Sequence, residues 1–357
     1  ALEGFKNAEH VRIGVLFPDG GVSDIQRKQM VTTTGDNVQV WAVRGNFDDC
    51  QTGVKHAFAD EKFAEKLLDE YRIALSSANS INWGRLLPQV VYYISSYAEL
   101  VAAGKIEAGC PIDVCVPTGN FGNILAAWYA KQIGVPIERL LCASNDNRVL
   151  TDLINTGTYD ISDREFILTS SPSMDILVSS NLERQLFELT GRNGEAIRQW
   201  MADLADARCF RVYAETFRRV RENFSADSVD NATCLATIRE VLDAHDYLLD
   251  PHTAVAYAAA QNLRGENPVL IASTAHWAKF GNNVYRAIHG IEPSGELPAD
   301  VAALTGCELN KLIAEETDKH HIPAGLANLD TMQLRFTEVI DNDVEAIEDA
   351  AEAFLTR

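Results

Sequence analysis

The sequence has no apolar run near the roughly 18 residues that a membrane-spanning helix requires. Its longest, such as Ile124 to Ala130, extend only along one helix face. Basic residues are also short: 31 Lys and Arg stand against 51 Asp and Glu, a formal charge of −20. That field repels phosphate backbones and anionic membrane surfaces, so neither nucleic acid nor membrane is expected as a partner. The seven cysteines (Cys50, Cys110, Cys115, Cys142, Cys209, Cys234, Cys307) are odd in number and scattered, with no C-x-x-C pair and no metal-ligand spacing. They read as free thiols, mostly buried, in a reducing cytoplasm. Cys110 and Cys115 are near neighbours, but Cys115 lies inside an apolar run. His320 and His321 are adjacent, point in different directions on any regular backbone, and read as a solvated pair. No basic segment and apolar stretch of a signal peptide opens the chain. A start at Ala1 without methionine reads as a cut within something longer.

What is present is ordinary globular composition: 46% hydrophobic and 23% charged residues over 357 positions, room for about two domains. Residues 11 to 18, VRIGVLFP, read as a buried strand, Ile25 to Val31 as a helix and Val38 to Val43 as a second strand, one βαβ unit. A helix at 61 to 70 precedes the polar run SSANSINWGR, and Leu86 to Leu100 reads as another helix. A second βαβ unit is clearer: strand Asp113 to Val116, loop PTGNFGN, helix Ile124 to Ile133, strand Leu140 to Ala143. The alternation predicts an α/β fold, a mostly parallel sheet with helices on both faces. Residues 160 to 250 read as an acidic helical insertion, Val269 to Ala272 as a last buried strand, and 298 to 357 as a helical tail. The expected division is a smaller α/β domain over 1 to 76 and a large one over 77 to 357. Neither internal repeats nor low-complexity tracts are present.

Chemistry concentrates in three segments. The run Pro117-Thr118-Gly119-Asn120-Phe121-Gly122-Asn123 joins a buried strand to an apolar helix. Glycines there permit positive φ and close approach of a ligand, and successive N–H groups at a helix start present positive charge, which makes an anion cradle. A tight strand-to-helix turn, with glycine and asparagine serving only as turn residues, accounts for the same residues. The loop lacks the Lys and Ser/Thr of a P-loop and the G-x-G-x-x-G spacing of a dinucleotide site. Ser273 and Thr274, in STAHWAKF, follow a strand at the edge where open sheets collect ligands. A hydroxyl there suits a ring nitrogen, or simply caps a helix. Third is the cluster Ser76, Ser77, Asn79, Ser80 and Asn82, followed by Arg85, where backbone is forced into turns.

In this order SANSINWGRLLPQ, PTGNFGN and STAHWAKF, together with FPDGGVSDIQRKQM, AVRGNFDDCQ and LDPHTAVAY, closely resemble threonine synthase, a pyridoxal-phosphate family with the tryptophan-synthase-β-like fold, fold type II. The resemblance covers most of residues 1 to 290. It implies that Gly119, Asn120, Phe121, Gly122 and Asn123 hold the phosphate of pyridoxal 5'-phosphate. It implies further that Ser273 or Thr274, with Thr274 the first choice, faces the pyridine nitrogen. Ser77, Asn79, Asn82 and Arg85 would line the substrate side, Arg85 meeting the phosphate of O-phospho-L-homoserine. The reaction implied is a lyase step of threonine biosynthesis, from O-phospho-L-homoserine and water to L-threonine and phosphate.

The sequence departs from the family in one respect. The lysine that holds the cofactor as a Schiff base lies in a Phe-Lys-Asp context upstream of these motifs, and no such segment occurs; Lys6 sits in GFKN. The expectation is therefore a threonine synthase of which this chain is an incomplete part, inactive by itself. A lysine-free binding or regulatory homologue and a related pyridoxal-phosphate enzyme acting on serine, threonine or cysteine derivatives are the competing readings.

Overall fold

The computed structural model describes residues 2–78, 82–318 and 321–357; Asn79, Ser80 and His320 lie outside the described residues. The strands are β1 (Ile13–Pro18), β2 (Val38–Val43), β3 (Ile112–Pro117), β4 (Ile137–Ser144), β5 (Thr158–Asp160), β6 (Cys209–Arg211), β7 (Phe224–Ser228), β8 (Val269–Ile271) and β9 (Val339–Ile340). The chain divides into two units. One comprises residues up to Ser77, Ala278–Asn282 and Pro298–Arg357; the other comprises Ala78–Trp277 and Asn283–Leu297.

The first unit is built on a parallel sheet in the order β1-β2-β9. Ile13, Phe17, Val38 and Val40 bury against Val31 of the helix Asp24–Val31, which a Ser23–Gln26 capping box starts. The C-terminal tail, read from sequence as part of the large domain, packs here instead. Glu338 O accepts from Ala42 N and Ile340 O from Arg44 N, and Phe354 of the helix Val344–Leu355 meets the Trp41 ring edge-on at 5.9 Å. Two residues of strand carry no periodicity that sequence reasoning can detect.

The second unit has the parallel sheet β7-β4-β3-β8. Every residue of β3 is buried, as a strand covered on both faces requires. Alternate side chains separate two layers. Ile112, Val114 and Val116 pack with Ile124 and Leu125 of the helix Gly122–Gln132, whereas Cys115 Sγ donates to Ala256 O of the helix Pro251–Leu263. Residues 160 to 250 are more than a helical insertion. They contain β6, antiparallel to β5, and β7, which completes the main sheet beside β4. FSADS escapes a sequence reading because only Phe224 and Ala226 face the core of this edge strand.

None of the helices among the described residues is long and apolar enough to cross a membrane. All seven cysteines are free thiols, and no cluster of potential metal ligands occurs among the described residues. Burial pushes Cys50 up to about 11 and Cys142 up to about 12, and raises Cys115 and Cys234 further. Only Cys110 and Cys209 are partly exposed. Alkylation of the native chain near about pH 8 is expected to label Cys110 first, Cys209 more slowly, and the other five only on unfolding, read by peptide mass spectrometry.

Candidate functional site

In the second unit the chain leaves β3 for β4 and β7 on one side and returns to β8 on the other, so β3 and β8 flank a topological switch point. Ligands in open α/β sheets bind at such points, beyond the C-terminal strand ends. Both sequence-predicted segments emerge there. Ala272 N donates to Cys115 O at 2.9 Å, which sets 273–274 beside the loop that follows β3.

That loop is held from one side. Ser179 Oγ donates to Gly119 O at 2.8 Å; Asn181 N and Nδ2 donate to Asn120 O at 3.1 and 2.9 Å. In a planar trans peptide the N–H opposes the C=O, so the N–H groups of Asn120 and Phe121 point away from residues 179–181. The helix Gly122–Gln132 begins next, without a side-chain cap. None of the N–H groups of residues 119–124 has an acceptor among the described residues. Several converging N–H groups at a helix start, all unclaimed, fit a phosphate.

The structure corrects how the loop achieves this. Positive φ was expected at the glycines but occurs at Phe121, at +59°, and at neither Gly119 nor Gly122. Gly119 is needed for space, since a Cβ there would lie 3.1 Å from Met174 Cα and 3.2 Å from Ser173 O. Phe121 contributes its backbone; its ring is 2% exposed and packs on Phe224 at 5.7 Å. The asparagine side-chain oxygens are committed elsewhere. Asn120 Oδ1 accepts from Ser180 Oγ at 3.0 Å, and Asn123 Nδ2 donates to Gln89 Oε1 at 2.9 Å while its Oδ1 accepts from Tyr93 Oη. Asn120 Nδ2 has no acceptor among the described residues, so Asn120 can serve an anion through its side-chain amide as well as its backbone N–H.

At the β8 edge the two hydroxyls differ. Thr253 Oγ1 lies within hydrogen-bond distance of both Asp250 Oδ2 and Ser273 Oγ, the latter at 3.2 Å. Burial by itself would raise the Asp250 carboxyl, but bonds from His252 and Thr253 outweigh it and hold the group below its ordinary value. A carboxylate only accepts, so Thr253 gives it its single proton and Ser273 is the donor of the second bond. Ser273, although exposed, thus spends its proton on Thr253. Thr274 is exposed and its hydroxyl has no hydrogen bond among the described residues.

The substrate-side residues are less unified. Asn82 caps the helix Trp83–Leu86, its Oδ1 accepting from Gly84 N at 2.8 Å. Arg85 is exposed, donates to Ala78 O at 2.8 Å, and pairs with no carboxylate among the described residues. Ser77 belongs to the first unit. Sequence reasoning missed the backing of the loop, Ser179 to Asn181, whose signal was the small polar run SSPSMDILVSSN.

Comparisons with known proteins bear on the family and the fold. The family described as "Threonine synthase, C-terminal" matches residues 253–350. "Threonine synthase-like 1" of Homo sapiens is 45% identical over 281 residues, which cover 78% of this chain and 38% of that protein. Threonine synthase of Saccharomyces cerevisiae is 32% identical over 375 residues, covering 100% of this chain and 67% of that protein. The crystal structure of pyridoxal-phosphate-bound threonine synthase from Brucella melitensis superposes with a TM-score of 0.80 at 35% identity, over 100% of this chain and 68% of that one. The chain thus spans well under half of the threonine synthase-like 1 protein and about two thirds of these threonine synthases. On the fold, the loop and these likenesses together, the chain belongs to the threonine synthase family.

Proposed function

We propose that the second unit holds pyridoxal 5'-phosphate and that the whole protein acts as a threonine synthase, taking O-phospho-L-homoserine and water to L-threonine and phosphate. One observation carries the reading: N–H groups of 119–124 and a Thr274 hydroxyl, all without a partner among the described residues, stand at the sheet's switch point. The N–H groups would bind the cofactor phosphate, and Thr274 would donate to the pyridine nitrogen. When bound, the cofactor supplies an electron sink for carbanion chemistry at the substrate α-carbon. A hydroxyl partner leaves the ring nitrogen uncharged, which moderates that sink where a carboxylate would strengthen it. Arg85 gives one of its five N–H donors to Ala78 O and keeps others for the anionic end of the substrate. Asn79 and Asn82 are the proposed remaining substrate contacts. This sequence contains no Phe-Lys-Asp segment, so the chain by itself is expected to bind the cofactor non-covalently without turnover.

A second reading has its own support. Identity to threonine synthase-like 1 proteins, 45%, exceeds the 32% to the yeast threonine synthase. The second reading is a homologue that keeps the cofactor cradle without this turnover, as the absence of a Phe-Lys-Asp segment from this sequence would allow. Titration of the chain with pyridoxal 5'-phosphate, followed by ring absorbance and phosphorus NMR, is expected to show one site, weakened in Thr274→Val. Phosphate release from O-phospho-L-homoserine by the whole protein then separates the two readings. Absence of cofactor binding by the chain sinks both.

A further inference from the structure

Asp250 caps the helix Pro251–Leu263 and is 3% exposed. Its Oδ1 accepts from His252 N and from His252 Nδ1, each at 2.9 Å, and its Oδ2 accepts from Thr253 Oγ1. Capping needs only the backbone bond. The two side-chain bonds lead toward opposite ends of the site.

One runs through His252. Its Nε2 accepts from Ser173 N at 3.2 Å. A backbone N–H can only donate, so Nε2 is the accepting nitrogen and the ring proton sits on Nδ1, facing Asp250. Ser173 lies in the turn Pro172–Met174, the same backbone that a Cβ at Gly119 would meet. The other path runs through Thr253 to Ser273, the residue before Thr274. A buried carboxylate behind an anion cradle repels the anion through its field, so its usefulness there lies in geometry.

We infer that Asp250 is a positioning residue of the cofactor site: through His252 and Ser173 it fixes the loop that cradles the phosphate, and through Thr253 and Ser273 it fixes the edge that carries Thr274. The inference rests on the cofactor reading above, but its mechanical half is independent of any ligand. His252 is the residue to test, because leucine removes the acceptor for Ser173 N while glutamine can restore one with its amide oxygen.

In the ligand-free full chain, His252→Leu is expected to speed hydrogen exchange at 171–176, and at Asn181 and Leu125, whose N–H groups bond the loop carbonyls of Asn120 and Phe121, by about tenfold and to leave the helix Gly194–Ala207 unchanged. His252→Gln should return these positions most of the way to the unsubstituted rate. Dissociation constants for inorganic phosphate and pyridoxal 5'-phosphate should rise about tenfold in His252→Leu and that for pyridoxal, which lacks the phosphate, by much less. Thr253→Val should leave phosphate affinity within about twofold and shift the absorption of bound pyridoxal 5'-phosphate. Unaltered exchange at Asn181 and Leu125 in His252→Leu overturns the positioning role, whatever the ligand results. Altered exchange in a chain that binds neither phosphate nor pyridoxal 5'-phosphate leaves the mechanical link standing and overturns the cofactor reading alone.

Discussion

Gly119→Val is expected to abolish phosphate and pyridoxal 5'-phosphate binding while the chain still folds. A Cβ at this position would lie 3.1 Å from Met174 Cα and 3.2 Å from Ser173 O, backbone positions that cannot rotate aside. Valine adds two further carbons. The opposing turn is itself pinned, by Met174 N to Ser171 O at 3.0 Å, Asp175 N to Pro172 O at 3.1 Å and Ser173 N to His252. The loop must therefore give way, and the N–H groups of Asn120 and Phe121 swing off the shared focus. A hydrogen bond to a charged group contributes about 1.5–3 kcal/mol, so losing two costs about 3–6 kcal/mol, at least a hundredfold in affinity. Phosphate and cofactor titrations, with a urea unfolding curve to confirm the fold, measure this. Gly119→Ala should fall between the two. Affinity unchanged in the valine variant means that the loop is not the cradle.

How far the site could be read in advance depended on whether its information is local. The run VCVP-TGNFGN-ILAAW gives strand, turn and helix because an apolar stretch ends in glycine and asparagine, and β3 and the helix Gly122–Gln132 lie there. β2 falls on the residues expected of it for the same reason, a continuous apolar segment. The direction in which Asn123 faces is not local. It depends on Tyr93 and Gln89, thirty and thirty-four positions away. Likewise Ser173 and His252 meet across seventy-nine positions, and the polar run SSPSMDILVSSN shows no periodicity that would announce a loop clamp. β9 is the extreme case: its pairing is decided by the free edge of β2, not by anything in its own two residues. Family resemblance carried the cofactor forward, whereas the mechanics of the loop 119–123 had to come from the contacts.

The same contacts predict an inverted order of stability at Phe121. Its backbone is left-handed, φ +59°, ψ 10°, which costs a non-glycine residue about 1–2 kcal/mol. Its ring is buried in the main core against Phe224, and truncating such a ring to alanine costs about 3–5 kcal/mol in lost transfer energy and cavity. Burial wins, which is why a phenylalanine holds a position that glycine would occupy without strain. Phe121→Ala forfeits the burial and keeps most of the strain, so it should destabilise the second unit by about 3 kcal/mol or more. Phe121→Gly forfeits the same burial but releases the strain, and should be the more stable of the two by about 1 kcal/mol. Inside a helix alanine is favoured over glycine, so the order expected at this position is the reverse of the interior one. Urea unfolding of the full chain, with hydrogen exchange to assign the transition to the second unit, reads both values. An alanine variant more stable than the glycine variant would mean that the turn is not left-handed at Phe121, and the aim of the N–H groups of 119–124 would have to be redrawn.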